Sequence, residues 1–134
     1  MRVLVAYDGS AGARRALERA AVLARPDDVV SVISVAEGVP LFGHAGALPS
    51  PEQVEACEKQ LSEAGRVLSE QGIEPALVTR SGDPATAILE VAHEQRVDLV
   101  VLGTRGMSTV ERWLVGSVSS KVLHHAHCSV LVAR

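Results

Sequence analysis

The sequence predicts an α/β fold of three layers (αβα), with a doubly wound, five-stranded parallel sheet between two layers of helices. Short apolar runs alternate with segments of helical periodicity along the chain, which is the pattern of parallel strands joined by helices. The runs are almost continuously apolar, as expected of strands buried on both faces. The length of 134 residues suits a single domain, residues 1–134, with a substantial core.

The opening residues predict the first strand and the first helix. The β-branched run Arg2–Ala6 is the strand, and it ends at Tyr7 and Asp8. Ser10 is a favoured N-cap residue, so a helix follows it. Small and apolar residues lie along one stripe of that helix and allow close packing on the sheet, namely Ala13, Leu17, Ala20 and Ala24.

The middle of the chain predicts a strand, a loop and a long helix. Val29–Val35 is the second strand, and Glu37–Ser50, rich in Gly and Pro, is a loop. Ser50 and Gln53 form a capping box, with Pro51 at the first helical position. Gly72 ends the helix, and the third strand is Ala76–Thr79. The apolar stripe of the helix consists of Val54, Cys57, Leu61, Ala64 and Leu68.

The last third of the chain repeats the alternation. Asp83 and Pro84 start a third helix. The inward face of this helix carries Ile88, Val91 and Ala92. The elements that follow are the strand Leu99–Leu102, a helix from about Ser117 to His125, and the strand Ser129–Ala133.

Composition excludes several classes of function. Tyr7, Phe42 and Trp113 are the only aromatic residues, too few for a base-stacking platform. The net charge is −3 without a basic block, so nucleic acid is not an expected partner. The apolar run in the opening residues is too short for a signal peptide or membrane span. We therefore expect a cytoplasmic protein without a membrane partner, in which Cys57 and Cys128 are thiols.

The end of the fourth strand carries a pattern that suits phosphate binding. Gly103-Thr104-Arg105-Gly106 is followed, after nine residues, by Gly116-Ser117. Glycines let phosphate oxygens approach the backbone N–H groups, and a helix starting near Ser117 directs free N–H groups at an anion. Arg105 would add a cation, and the hydroxyls of Ser117 and Ser119 would add donors. Turn chemistry after a strand is the alternative explanation of the two loop glycines.

The best-known nucleotide motifs are absent from the sequence. It has neither GxxxxGK[ST] nor a GxGxxG after a strand, and its two lysines, Lys59 and Lys121, lie outside the glycine loop. The sequence therefore argues against a P-loop NTPase. The segment His124-His125-Ala126-His127-Cys128 invites a metal-site interpretation, but histidines at a helix end that interact with the helix dipole explain it better.

The whole chain resembles the nucleotide-binding branch of the universal stress protein family. The resemblance rests on GTRG-MSTVERWLV-GS together with LVAYDGS, Val35, DPATAILEVA, DLVVLGTRG and CSVLVA. It implies a Rossmann-like sheet in the order 3-2-1-4-5, which brings Asp8 next to the glycine loop at the point where the winding reverses. It also implies ATP, or another adenine nucleotide, with Mg²⁺ as the ligand.

The resemblance implies a role for each candidate site residue. Val35 would hold the adenine edge through its backbone, and Ala6 and Asp8 would lie beside the nucleotide, with Asp8 also near the divalent ion. Asp8 as the cap of a turn is the alternative. The phosphates and ribose would be held by Gly103, Thr104, Arg105, Gly106, Met107, Ser108 and Thr109, and by Gly116, Ser117, Val118 and Ser119.

Three functions are consistent with these residues. The first is an ATP-binding regulatory module in the stress response, with little or no hydrolysis because no group resembles a base for water attack. The second is a slow ATPase or nucleotidyl transferase on the same site. The third is an interaction protein without a nucleotide. The family order makes Ser129–Ala133 an apolar edge strand, so we also expect a homodimer that covers it.

Overall fold

The computed structural model describes residues 1–38, 48–104 and 116–134. Five strands alternate with four helices in this part of the chain. The elements, in chain order, are β1 (Arg2–Ala6), α1 (Ala11–Leu23), β2 (Val29–Ala36), α2 (Pro51–Glu70), β3 (Ala76–Ser81), α3 (Pro84–Glu94), β4 (Leu99–Gly103), α4 (Ser117–His125) and β5 (Ser129–Ala133).

All strand pairs are parallel, and the sheet order is β3-β2-β1-β4-β5. This confirms the predicted fold and strand order. From β1 the chain winds outward to β2 and β3, and then returns to place β4 on the other side of β1. The winding therefore reverses between β1 and β4, where ligands bind in folds of this kind.

Alternate side chains of the strands build a separate core on each face of the sheet. On one face, Val3 and Val5 of β1 pack with α1 and α2. On the other, Leu4 packs with α3 and α4. Because both faces are covered, the strands read as the continuous apolar runs seen in the sequence.

The ends of the helices follow the predicted local signals. The hydroxyl of Ser10 accepts the N–H of Ala13 at 3.2 Å and so caps α1. The capping box of α2 is formed by Ser50 and Gln53, and Gly72, with φ +80°, follows the end of that helix. Local sequence therefore determines where these helices begin and end.

Three strands extend further than predicted. β3 continues to Ser81 because Arg80 and Ser81 pair with Val35 and Ala36. β3 is an edge strand and mostly exposed, so polar residues prolong it without entering the core. β2 gains Ala36 from the same pairing, and β4 gains Gly103, which pairs with Ala133.

Candidate functional site

A cleft opens at the carboxyl ends of β1 and β4. It lies at the predicted switch point, between the last residues of the strands and the first turns of the helices that follow. The described residues that line it are Ala6, Tyr7, Asp8, Ser10, Ala13, Ile33, Val35, Glu37, Pro84, Ile88, Leu102, Gly103, Thr104, Gly116, Val118 and Ser119.

The N-terminus of α4 forms one wall of the cleft. Gly116 is the N-cap residue, and no side chain caps the helix. Since the first N–H groups of a helix have no partner within it, those of α4 remain donors at the positive end of the helix dipole. This wall is therefore suited to an anion.

The hydroxyl of Ser119 ties α4 to β4. Ser119 is buried, and its Oγ donates a hydrogen bond of 2.9 Å to the carbonyl oxygen of Gly103. The N–H of Thr104 donates to the carbonyl oxygen of Ala133 at 3.2 Å. Neither of these donors is free for a ligand. Ser119 and Thr104 therefore fix the wall of the cleft, and the free backbone N–H groups of α4 are the donors that face it.

The opposite side of the cleft presents backbone from β2. The N–H of Tyr7 donates to the carbonyl oxygen of Ile33 at 2.9 Å, so the backbone groups of Ile33 face β1. Backbone direction alternates along a strand. The backbone N–H and carbonyl groups of Val35 therefore also face the β1 side of β2. They lie beyond Ala6, which is paired with Ile33 in the β1–β2 register. This edge can pair with a planar polar group.

The side chain of Asp8 both caps a local turn and lines the cleft. Its Oδ1 accepts the N–H of Ser10 at 2.9 Å, which is the capping role considered from the sequence. The side chain is also exposed and lines the cleft, which leaves its second carboxylate oxygen for a cation. A carboxylate is a suitable Mg²⁺ ligand. No group of three or more His, Cys, Asp or Glu among the described residues forms a metal site.

The charge of the described lining residues is negative. Asp8 and Glu37 are acidic, and none of these residues is Lys or Arg. Burial raises the pKa of Tyr7, so its phenol stays neutral at physiological pH. Among the described residues, favourable potential for an anion therefore comes from the backbone at α4, and a bound cation would offset Asp8.

Polar side chains of α3 and α4 join the two helices beside the cleft. The Nζ of Lys121 lies 3.0 Å from Asp83 Oδ2 and 3.0 Å from Thr86 Oγ1. Asp83 caps α3 by accepting the N–H of Thr86 at 3.0 Å. Hydrogen bonds from the backbone and hydroxyl of Thr86, and then from Lys121, lower the pKa of Asp83 to about 2.

The sequence matches the universal stress protein family over residues 1–134. The chain belongs to this family. A universal stress protein of Thermus aquaticus is 37% identical over 139 residues, covering 98% of this chain and 97% of the relative.

Solved structures of universal stress proteins share the fold. One from Archaeoglobus fulgidus has a TM-score of 0.84 at 26% identity and covers 100% of this chain and 98% of that one. A structure of the universal stress protein from the same organism in complex with dAMP has a TM-score of 0.77, with the same identity and coverage.

Most of the predicted site residues that the structure describes lie together around the cleft. Those that line the cleft are Ala6, Asp8, Val35, Gly103, Thr104, Gly116, Val118 and Ser119. Ser117 lies at the start of α4 with an exposed side chain. The predictions for Arg105, Gly106, Met107, Ser108 and Thr109 lie outside the described residues.

Several lining residues were not assigned to the site from the sequence. Ile33 and Leu102 belong to buried strands, and Ile88 lies on the inward face of α3, so their apolar character indicated only the core. Pro84 was identified only as the first residue of a helix. For Leu102 the available signal was its position at the end of a strand, because strand ends at a switch point line the ligand site.

Proposed function

We propose that this universal stress protein is a regulatory module, a single domain over residues 1–134, that binds an adenine nucleotide in the cleft. The observation that carries the proposal is the uncapped N-terminus of α4, which opens onto an apolar cleft at the switch point. A helix N-terminus in this position suits a phosphate. The dAMP complex of the Archaeoglobus fulgidus relative supports adenine as the base.

The proposed pose places each part of the nucleotide against a different wall. The phosphates lie at Gly116–Ser119 and beside Gly103 and Thr104 at the end of β4. The base lies between apolar side chains and pairs its polar edge with the backbone of Val35. Ala6 and Asp8 lie beneath the ribose.

Mg²⁺ is part of the proposal when the ligand is ATP. A triphosphate next to the carboxylate of Asp8 is an unfavourable pair of like charges. A divalent ion held by phosphate oxygens and by the free oxygen of Asp8 would remove this repulsion and supply the charge neutralisation that a triphosphate needs.

Titration calorimetry and thermal unfolding test the binding. We expect AMP, dAMP and ATP with Mg²⁺ to bind with micromolar dissociation constants, and GTP to bind more weakly. Micromolar binding stabilises the fold by about 4 kcal/mol at a thousandfold excess of ligand over the dissociation constant. An unchanged melting temperature with millimolar concentrations of all these nucleotides would rule out the proposal.

We also propose that ATP is sensed rather than consumed. Among the described lining residues no His or Lys is available as a general base or to hold the phosphates, so we expect the release of phosphate to match a protein-free blank. The carboxylates among the described lining residues are Asp8 and Glu37, and Asp8, which we place near the ion, is the candidate for an alternative ATPase. Hydrolysis above the blank that disappears in Asp8→Ala, with ATP binding retained, would establish that alternative.

A homodimer through β5 completes the proposal. Among the described residues β5 pairs only with β4 and is the edge of the sheet, and Val130, Leu131 and Val132 are half-buried there. An apolar edge with unpaired backbone groups is usually covered, and a second copy would cover it about a two-fold axis.

No helix in the described residues is long and apolar enough to cross a membrane.

A further inference from the structure

Two glycines meet where the first turn of α1 crosses the end of β4. A Cβ on Gly12 would overlap the carbonyl oxygen of Thr104. A Cβ on Gly103 would overlap the backbone carbon and oxygen of Gly12. The contact is thus between two backbones, and neither position has room for a side chain.

Space, not backbone conformation, explains glycine at both positions. The described glycines with positive φ are Gly9, Gly72 and Gly82. Gly12 lies within α1, where alanine is intrinsically favoured over glycine. Helix propensity therefore works against glycine at position 12, and only the contact with β4 favours it.

The contact connects α1 to the anion-binding wall of the cleft. The backbone of Gly12 packs against the backbone of Gly103 and of Thr104, and the carbonyl oxygen of Gly103 accepts a hydrogen bond of 2.9 Å from the hydroxyl of Ser119. Ser119 lies in the first turn of α4, whose free N–H groups face the cleft. A displacement of the Gly103–Thr104 peptide would therefore move the N-terminus of α4.

We infer that Gly12 is a positioning residue for the phosphate end of the nucleotide site. The inference rests on the proposed function. By having no side chain, Gly12 lets α1 support the Gly103–Thr104 peptide and, through Ser119, the first turn of α4. The base contacts Val35 on the other side of β1, so Gly12 acts on the phosphate and not on the base.

Comparison of AMP with adenosine separates an effect on phosphate binding from an effect on binding of the base and ribose. In Gly12→Ala, the dissociation constant of AMP should rise by about tenfold to a hundredfold, the range of one lost hydrogen bond to a charged group. That of adenosine should change by less than about twofold. Isothermal titration measures both, and AMP should bind more tightly than adenosine in the wild type.

Gly65→Ala is the matched control. Gly65 lies in α2, and among the described residues its added Cβ would meet only the side chain of Leu77, at 3.6 and 3.7 Å. We expect both ligands to bind this variant as they bind the wild type. An equal loss of AMP and adenosine affinity in Gly12→Ala, or no loss of either, would overturn the inference and leave the proposed function intact.

A second measurement covers the case in which Gly12→Ala does not fold. In the wild type, the amide NMR signal of Gly12 should differ between the AMP and adenosine complexes, and that of Gly65 should not. A difference at Gly103 and Ser119 that does not reach Gly12 would overturn the inference. Wild-type protein that binds neither compound would overturn the proposed function and the inference together.

Discussion

The hydroxyl of Ser119 and the carbonyl oxygen of Gly103 form a 2.9 Å hydrogen bond that joins the first turn of α4 to the last residue of β4. The two residues are 16 positions apart. The bond fixes where the free N–H groups at the start of α4 point. It therefore links the stability of this end of the sheet to the geometry of the cleft.

Ser119→Ala should destabilise the protein and weaken nucleotide binding together. Ser119 is 2% exposed, and its removal leaves the carbonyl oxygen of Gly103 without this donor, at a cost of about 1–2 kcal/mol. Urea unfolding measures the loss, and titration with AMP measures the affinity. Ser62→Ala, at an exposed position of α2, should leave both unchanged. A variant as stable as the wild type would contradict the importance of the bond.

A negative charge at the start of α4 should separate stability from binding. In Ser117→Asp, the new carboxylate lies at the positive end of the helix dipole, which stabilises the fold by about 0.3–1 kcal/mol. The same charge repels a phosphate at this wall, so the dissociation constant of AMP should rise by roughly tenfold or more.

The control for this variant carries the same charge elsewhere. Ser62→Asp places a carboxylate on the exposed face of α2, away from the described lining of the cleft. Its AMP affinity should equal that of the wild type. If Ser117→Asp binds AMP as tightly as Ser62→Asp does, the phosphate does not lie at the N-terminus of α4.

Asp83 should make stability depend on pH in the acid range. Its pKa falls from an ordinary 3.8 to about 2 in the folded protein. Because the folded state holds the carboxylate ionised, the stabilisation is present above about pH 4 and is lost as the pH falls towards about 2. The side chain is 57% exposed, so solvent screening keeps the effect small.

Asp83→Asn measures this contribution, since asparagine can still cap α3. The difference in unfolding free energy between wild type and Asp83→Asn, from urea titrations, should shrink between about pH 4 and pH 2. Lys121→Met should retain most of the pH dependence, because the bonds from Thr86 lower the pKa of Asp83 more than Lys121 does. A difference that is constant over this range would contradict the assigned cause.

The fold could be predicted from the sequence because its determinants are local. Ser10 and Ser50 cap helices that begin beside them, and the apolar runs become strands. The roles of Gly103 and Ser119 could not be predicted in the same way. The sequence predicted that Gly103 and Ser119 lie at the phosphates, but it did not show that Gly103 packs against Gly12 or that the hydroxyl of Ser119 donates to Gly103. Both contacts join residues distant in sequence, which periodicity does not encode.

Val132→Lys should convert the proposed dimer into a monomer. Val132 is half-buried on the edge strand β5, and lysine on an edge opposes strand pairing between copies. Size-exclusion chromatography with light scattering should give the dimer mass for the wild type and half that mass for the variant. Val22→Lys is the control, because Val22 is 78% exposed on α1, and this variant should remain dimeric. A Val132→Lys protein that keeps the wild-type mass would show that β5 does not form the interface, and a monomeric wild type would remove the basis for the dimer.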